Sequence, residues 1–320
     1  MLNLLYCLDQ NYNLQTLVSM VSFLNNTKGK INFFVIHENK DTFQKYVNYI
    51  KNHENCNSIT IFEFENDNLI YYPNLINSHV SIATYFRLHL QSYIQKDNNF
   101  ITYVDSDVIC VSDPYNLIKS QEREIFKRNK IISASTSNIK FDGLFSVDQI
   151  NQLELKNSKY FNAGVMIISL HNWYENNVSE ELINLLIENK NEITFWDQDV
   201  LNLYFDGDYI ELPKSLNHEI YLEKDNKEIS KDTLLVHFSG SFKPWTARAG
   251  TKKNANIYHY NFLKIFKKYH ITHTWKISSL RNLIISLFTL KVLNLQNPIK
   301  YIYNFILTLL NDDIYRIKYE

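Results

Sequence analysis

The stretch "FITYVDSDVIC", residues 100–110, is apolar at both ends and carries two carboxylates, Asp105 and Asp107, two positions apart. In an extended segment alternate side chains share a side, so the two charges would face one way and repel each other. A cation between them removes that repulsion, and paired oxygen ligands suit hard divalent ions such as Mg²⁺ or Mn²⁺. A solvated turn in which Asp107 or Asp113 caps a helix also satisfies the spacing. The position of the pair in the fold has to decide.

Working outward, the first hundred residues alternate between two kinds of segment. The apolar runs "LNLLYCL" (2–8), "INFFVIH" (31–37), "SITIFEF" (58–64) and "NFITYV" (99–104) read as strands. Between them lie helical patterns near 14–25, at "TFQKYVNYIKN" (42–52), and at "SIATYFRLHLQSYI" (81–94), where Ile82, Tyr85, Phe86 and His89 recur at helical intervals. Strand–helix repetition predicts an α/β fold with a mostly parallel sheet covered by helices. Ligands in such sheets bind beyond the carboxyl ends of the strands. That rule sets Asp9, after the first run, on the same rim as Asp105 and Asp107.

Beyond residue 110 the alternation loosens. "KIISAS" (130–135), "YFNAGVMIISL" (160–170) and "TLLVHF" (233–238) read as further strands, and "SEELINLLIENK" (179–190) as an amphipathic helix. The last of these strands opens "HFSGSFKPW" (237–245). His237 therefore stands at a strand's carboxyl end, where its imidazole suits the same cation and tilts the choice toward Mn²⁺, with Mg²⁺ as the alternative. In that string Gly240 lets backbone approach a phosphate and Lys243 neutralises its charge.

Composition narrows the function classes. The 320 residues are 45% hydrophobic and 21% charged, with a formal net charge of -1. This is an ordinary globular balance that gives no reason to expect nucleic acid. Cys7, Cys56 and Cys110 are far apart and form no CxxC pair, so neither a zinc site nor a disulfide framework is expected and a reducing compartment fits. No GxGxxG or GxxxxGK[ST] occurs, which removes the common dinucleotide and P-loop sites. The N-terminus lacks a basic region and a cleavage site and reads as a first strand. From Lys264 onward nine Lys+Arg stand against three Asp+Glu in apolar, aromatic surroundings. We expect a catalytic domain over 1–261 and a helical basic, aromatic extension over 262–320. That extension either packs on the domain or lies on a membrane surface, since no uncharged apolar run reaches the roughly 18 residues of a span.

The segments "YCLDQNY", "SIATYFRLHL", "YVDSDV", "YFNAGVMIISL", "WDQDVLN" and "HFSGSFKPW", in that order, resemble glycosyltransferase family 8, of the bacterial lipopolysaccharide galactosyl- and glucosyltransferase type. The resemblance spans residues 6–245. It implies a GT-A domain, a Rossmann-like mixed sheet flanked by helices, with a UDP-sugar donor and Mn²⁺. Carried over by position, Asp9, Asn11 and Tyr12 would contact uracil and ribose. Asp105, Asp107 and His237 would hold the metal, and Ser106, Gly240 and Lys243 the rest of the nucleotide. Arg87, Asn162, Asp197 and Gln198 would surround the donor sugar, with Gln198 closest to the reacting carbon. One departure stands out: where family members commonly carry an aspartate after the strand matching "KIISAS", the nearest equivalent here is Ser137.

The chemistry of these residue types agrees. Loss of a glycosyl group leaves a diphosphate with more negative charge, which a divalent ion and Lys243 stabilise. Asp197 and Asp199 do not read as a hydrolase carboxylate pair, because a helix turns residues two apart onto different faces. The expected enzyme is a retaining hexosyltransferase in which the acceptor attacks on the face of the departing phosphate. Its acceptor would be a cell-surface glycan or glycolipid met at the inner face of a bacterial cytoplasmic membrane. The loops 138–160 and 207–232 would form the acceptor surface. Two other readings share the fold: a catalytically silent nucleotide-sugar or glycan-binding protein, and a glycogenin-like enzyme that glucosylates one of its own tyrosines.

Overall fold

The four apolar runs of the N-terminal part form β1 (Leu2–Leu8), β2 (Ile31–His37), β3 (Cys56–Glu63) and β4 (Phe100–Val104). All three pairings among them are parallel. In this computed structural model, which describes residues 1–65, 72–73, 81–137, 145–224 and 228–311, they are followed by β5 (Val108–Cys110), β6 (Ile132–Thr136), β7 (Phe161–Ser169), β8 (Ile210–Glu211), β9 (His218–Glu219) and β10 (Leu235–His237). The large sheet has the order β3-β2-β1-β4-β7-β6-β8, and a small one the order β5-β10-β9.

β7 lies between β4 and β6 and is antiparallel to both, so the sheet is mixed where the apolar pattern predicts a mostly parallel one. The reason is physical: a strand buried on both faces reads as a continuous apolar run in either direction. Helices expected near 14–25 and 179–190 form over Asn13–Asn26 and Val178–Glu188. The segment 81–94 is instead a 3₁₀ helix over Ile82–His89, capped by the Ser81 side chain, running into one α-turn over Leu90–Tyr93. Likewise 42–52 contains a 3₁₀ turn, Gln44–Tyr46, before the short helix Val47–Lys51.

One apolar cluster fills each face of the large sheet. Tyr85, Phe86, Trp173 and Leu182 pack on one side, and Leu17, Phe23, Ile118 and Ile125 on the other. A third, with Val236, Trp245, Tyr258 and Phe262, seats the helix Asn256–Phe266 against the small sheet. The helices Lys276–Phe288 and Pro298–Leu310 pack through Leu283, Tyr301 and Phe305 onto Ala247, Tyr269 and Ile271. Their outer faces leave Ile277, Phe288 and Ile299 more than 80% exposed. Among the described residues no helix is long and apolar enough to cross a membrane.

Candidate active site

The opening stretch is where the chain passes from the large sheet to the small one. β4 ends at Val104, the Asp105 N–H donates to the Gly164 carbonyl at 2.8 Å, and the Val108 N–H returns to the Asp105 carbonyl at 3.1 Å. Residues 105–107 are thus a tight turn between two strands and not an extended segment. The two carboxylates still converge, because the turn rather than a pleat brings them to one side.

β10 pairs antiparallel with β5, with His237 opposite Val108, and this register places the imidazole beside the turn. His237 Nε2 lies 3.3 Å from Asp107 Oδ1 and 3.8 Å from Asp105 Oδ2. Gly164 of β7 makes room for it, since a Cβ there would stand 2.2 Å from His237 Cε1. Each carboxylate has one oxygen tied outward. Tyr103 donates to Asp105 Oδ1 at 2.6 Å, and Lys243 Nζ to Asp107 Oδ2 at 2.6 Å. Asp105, Asp107 and His237 each offer one ligand atom within 4.8 Å of the others.

Asp107 Oδ1 is buried, and unless His237 carries a proton on Nε2 it accepts no hydrogen bond. A buried acceptor without a donor is costly, and a divalent cation satisfies it. Burial alone would raise the Asp107 carboxyl, but Lys243 and His237 outweigh it and hold the group well below the usual carboxylate range. For His237 burial works downward, and the Asp107 charge turns the shift upward. Two carboxylate oxygens and one imidazole nitrogen, with open cavity on the remaining side, fit Mn²⁺ or a similar ion.

The cavity has a volume of about 740 Å³ and is lined by Asp9, Tyr12, Arg87, Asp105, Ser106, Asp107, Asn162, Asp197, Gln198, His237, Gly240 and Lys243. Every residue singled out from the sequence is among its lining except Asn11. That residue is exposed, and its backbone and side-chain amides donate to Asp9. The Asp9 carboxylate caps the 3₁₀ turn Gln10–Tyr12 by also accepting from the Tyr12 N–H. Tyr12 stands edge-on to Trp245, centroids 6.1 Å apart, so the two motifs "LDQNY" and "KPW" buttress each other. The Ser106 hydroxyl bonds that of Thr16 at 2.8 Å. Gly240 has a φ of 82°, which a side chain would strain, and a Cβ would crowd Glu223.

Arg87 is 6% exposed. Its Nε pairs with Asp197 Oδ2 at 2.5 Å, its guanidinium donates to the Ala163 carbonyl at 2.7 Å, and it lies over the Tyr103 ring. The Thr84 hydroxyl donates to the other Asp197 oxygen. Burial pushes the Asp197 carboxyl up to about 6, while Arg87 pulls the other way; the pair is ionised at neutral pH. Gln198 is held at both ends, accepting from the Ala163 N–H and donating to the Tyr160 hydroxyl, each at 3.0 Å. Asp199 faces away from the cavity, accepting from the Tyr160 hydroxyl and from the Thr194 and Phe195 N–H groups.

Sequence reasoning missed several lining or supporting groups. Tyr103 was within reach, because it stands two before Asp105 at the end of the same apolar run. Asn217 and Glu219 lie in "LPKSLNHEIYL", which carries no periodicity to single them out. Ser137, singled out from the sequence as the departure from the family pattern, does line the cavity, its N–H bonded to the Tyr160 carbonyl. Residues 138–144 and 225–227 of the two expected acceptor loops lie outside the described residues.

A lipopolysaccharide 1,2-glucosyltransferase of Escherichia coli K12 is 28% identical over 256 residues, covering 76% of this chain and 72% of that protein. A lipopolysaccharide 1,3-galactosyltransferase of Salmonella typhimurium LT2 is 26% identical over 254 residues, with 76% and 72% covered. Among solved structures, galactosyltransferase LgtC in complex with donor and acceptor sugar analogs superposes with a TM-score of 0.69 at 20% identity, covering 83% of this chain and 96% of that one. The likeness is one of fold, and the fold is GT-A. The family model for glycosyl transferase family 8 matches residues 3–249, and the chain belongs to that family.

Proposed function

We propose that this glycosyltransferase moves a hexose, galactose or glucose, from a UDP-linked donor to a glycan acceptor of the lipooligosaccharide kind, with retention and with Mn²⁺ on the diphosphate. The observation that carries the reading is the convergence of Asp105 Oδ2, Asp107 Oδ1 and His237 Nε2 in one cavity, with a buried oxygen left for a cation. A divalent ion bound there supplies Lewis-acid stabilisation of the charge developing on the leaving phosphate. Lys243, 2.6 Å from Asp107, stands where it can add to that stabilisation. Asp9 and Tyr12 mark the nucleoside end of the cavity. Arg87, Asn162, Asp197 and Gln198 mark the sugar end.

Front-face attack suits the side chains at the sugar end. Both Asp197 oxygens are taken, by Arg87 and by the Thr84 hydroxyl. The Gln198 carbonyl oxygen accepts from Ala163, and an amide is in any case a poor nucleophile. The acceptor oxygen then bonds to the anomeric carbon as the bond to the phosphate oxygen breaks, and the acceptor's proton passes to that phosphate oxygen. A glycosyl adduct on Asp197 or Gln198, trapped and found by mass spectrometry, would rule this out.

The test of the whole reading is UDP release from a panel of UDP-sugars, with Mn²⁺ and with EDTA, alongside Asp107→Ala. Manganese-dependent turnover of one donor, lost in the variant, supports the reading and names the sugar, which Ser137 in place of an aspartate leaves to experiment. Absence of UDP binding overturns it.

The proposal extends to an acceptor presented at a membrane surface. From Thr233 to Asn311 there is no Asp or Glu, against eleven Lys and Arg. In that stretch Trp275, Ile277, Phe288 and Ile299 are at least 71% exposed. Apolar side chains beside basic ones suit the interface of an anionic bilayer. Co-sedimentation of the full chain with anionic vesicles is the check. Ile277→Glu with Phe288→Glu should abolish it while leaving UDP binding intact, and persistent co-sedimentation discards the membrane contact.

A further inference from the structure

The far side of His237 is built as carefully as the near side. β7 bulges away from β6 between Asn162 and Met166, which frees the Gly164 N–H from the ladder. That N–H donates to Asn162 Oδ1 at 2.9 Å. A backbone N–H can only donate, so the Asn162 atom it meets is the oxygen. The opposite end agrees, because Asn162 Nδ2 donates at 3.1 Å to Glu219 Oε2, which also accepts from the Tyr221 and Ser239 hydroxyls.

With Asn162 oriented, the next link follows. Asn217 approaches the same Asn162 Oδ1 at 3.0 Å and must present its Nδ2 there. Its Oδ1 therefore faces His237 Nδ1, at 3.0 Å. An acceptor opposite Nδ1 requires the proton on Nδ1. The Nε2 lone pair of the neutral ring is then directed at the two carboxylates. Asn217 is 1% exposed and His237 4%, so water does not compete for either bond.

We infer that Asn217 is a positioning residue for the cation site: it holds His237 in its Nδ1–H form, with Nε2 aimed between Asp105 and Asp107, and takes its own orientation from Gly164 through Asn162. The role rests on the proposed metal site, because the direction of Nε2 matters only if that nitrogen is a ligand. Partners of this kind fix the tautomer of ligating histidines, and their loss typically weakens metal binding by about 10- to 100-fold.

The experiment uses the full chain with ¹⁵N-labelled histidine. Long-range ¹H–¹⁵N correlation with diamagnetic Zn²⁺ bound reads the His237 tautomer, and electron paramagnetic resonance of free Mn²⁺ reads affinity without donor. Wild type is expected to carry the proton on Nδ1. Asn217→Ala is expected to move it toward Nε2 and to weaken Mn²⁺ binding by roughly 10- to 100-fold. Asn217→Asp, which keeps an acceptor opposite Nδ1 but gives up the donor to Asn162 Oδ1, should restore the tautomer and part of the affinity. A proton on Nε2 in wild type, or wild-type Mn²⁺ affinity in folded Asn217→Ala, overturns the role. Should Asn217→Ala fail to fold, Asn217→Asp decides: binding as weak as in His237→Ala overturns it. A wild type that binds neither ion removes the metal reading and the positioning role with it, while leaving the relay itself standing.

Discussion

Two Asp-x-Asp segments border the same cavity, one in the turn between β4 and β5 and one at the start of the helix Trp196–Phe205. In the first, the turn brings Asp105 and Asp107 together, each with its outer oxygen tied to a neighbour and its inner oxygen turned toward His237. In the second, the helix sends Asp197 to Arg87 at the cavity wall and Asp199 to Tyr160 and two backbone N–H groups behind it. Equal spacing thus yields convergence in one place and divergence in the other. What differs is the backbone beneath: a two-strand turn against a 100° step per residue. The middle residues both line the cavity, Ser106 bonding to Thr16 and Gln198 to Ala163 and Tyr160.

Arg87 bridges the two segments, 2.5 Å from Asp197 and 3.6 Å from Asp105, so its removal should have the largest effect. Arg87→Met strands a buried carboxylate and is expected to cost about 3–5 kcal/mol at neutral pH, read by urea unfolding. Losing the cation raises the Asp197 carboxyl further above its wild-type value of about 6. Between those two values the variant's native state binds a proton that wild type lacks. The deficit should therefore narrow as pH is lowered from the variant's raised value toward about 6 and change little below that. A deficit that stays constant across that window would mean that Asp197 does not depend on Arg87.

Next in size is Asp107→Ala. It should lower manganese-supported UDP release by roughly 10²- to 10³-fold, the scale of losing one preorganised group that meets transition-state charge. Asp199→Ala should behave oppositely. It leaves the Thr194 and Phe195 N–H groups and the Tyr160 hydroxyl without their acceptor and should lower stability by about 1–3 kcal/mol, with Mn²⁺ affinity measured by titration unchanged. Weakened Mn²⁺ binding in that variant would erase the distinction between the two segments. Ser106→Ala should be the mildest, costing about 0.5–1.5 kcal/mol for one buried hydroxyl pair, measured by the same unfolding titration.

Much of this arrangement was legible from the sequence. The strand-and-helix alternation located the parallel half of the sheet, and strand-end position gathered Asp9, Asp105, Asp107 and His237 on one rim. Those inferences needed only short-range periodicity and one rule about where parallel sheets bind ligands. The reversed direction of β7, the burial of Arg87 and the Gly164–Asn162–Asn217–His237 relay were out of reach, because each depends on segments 50 or more residues apart meeting in space. Asn11 shows the converse: a residue in a telling motif can spend its side chain on the Asp9 cap and lie outside the cavity.

By itself the sequence determined which side chains are available for the chemistry, because a carboxylate, an imidazole and an ammonium are properties of residue type, and it determined where strands end, because apolar runs stop. Tertiary structure decided which oxygen of each carboxylate faces the cavity and which nitrogen of His237 meets them. Those choices belong to partners brought together by packing: Tyr103 and Lys243 hold the outer oxygens, and Asn217, across the β9–β10 pairing, holds the far side of the ring. A hydrogen bond has direction only when both of its ends are in place, and in this chain the second end is supplied by the fold.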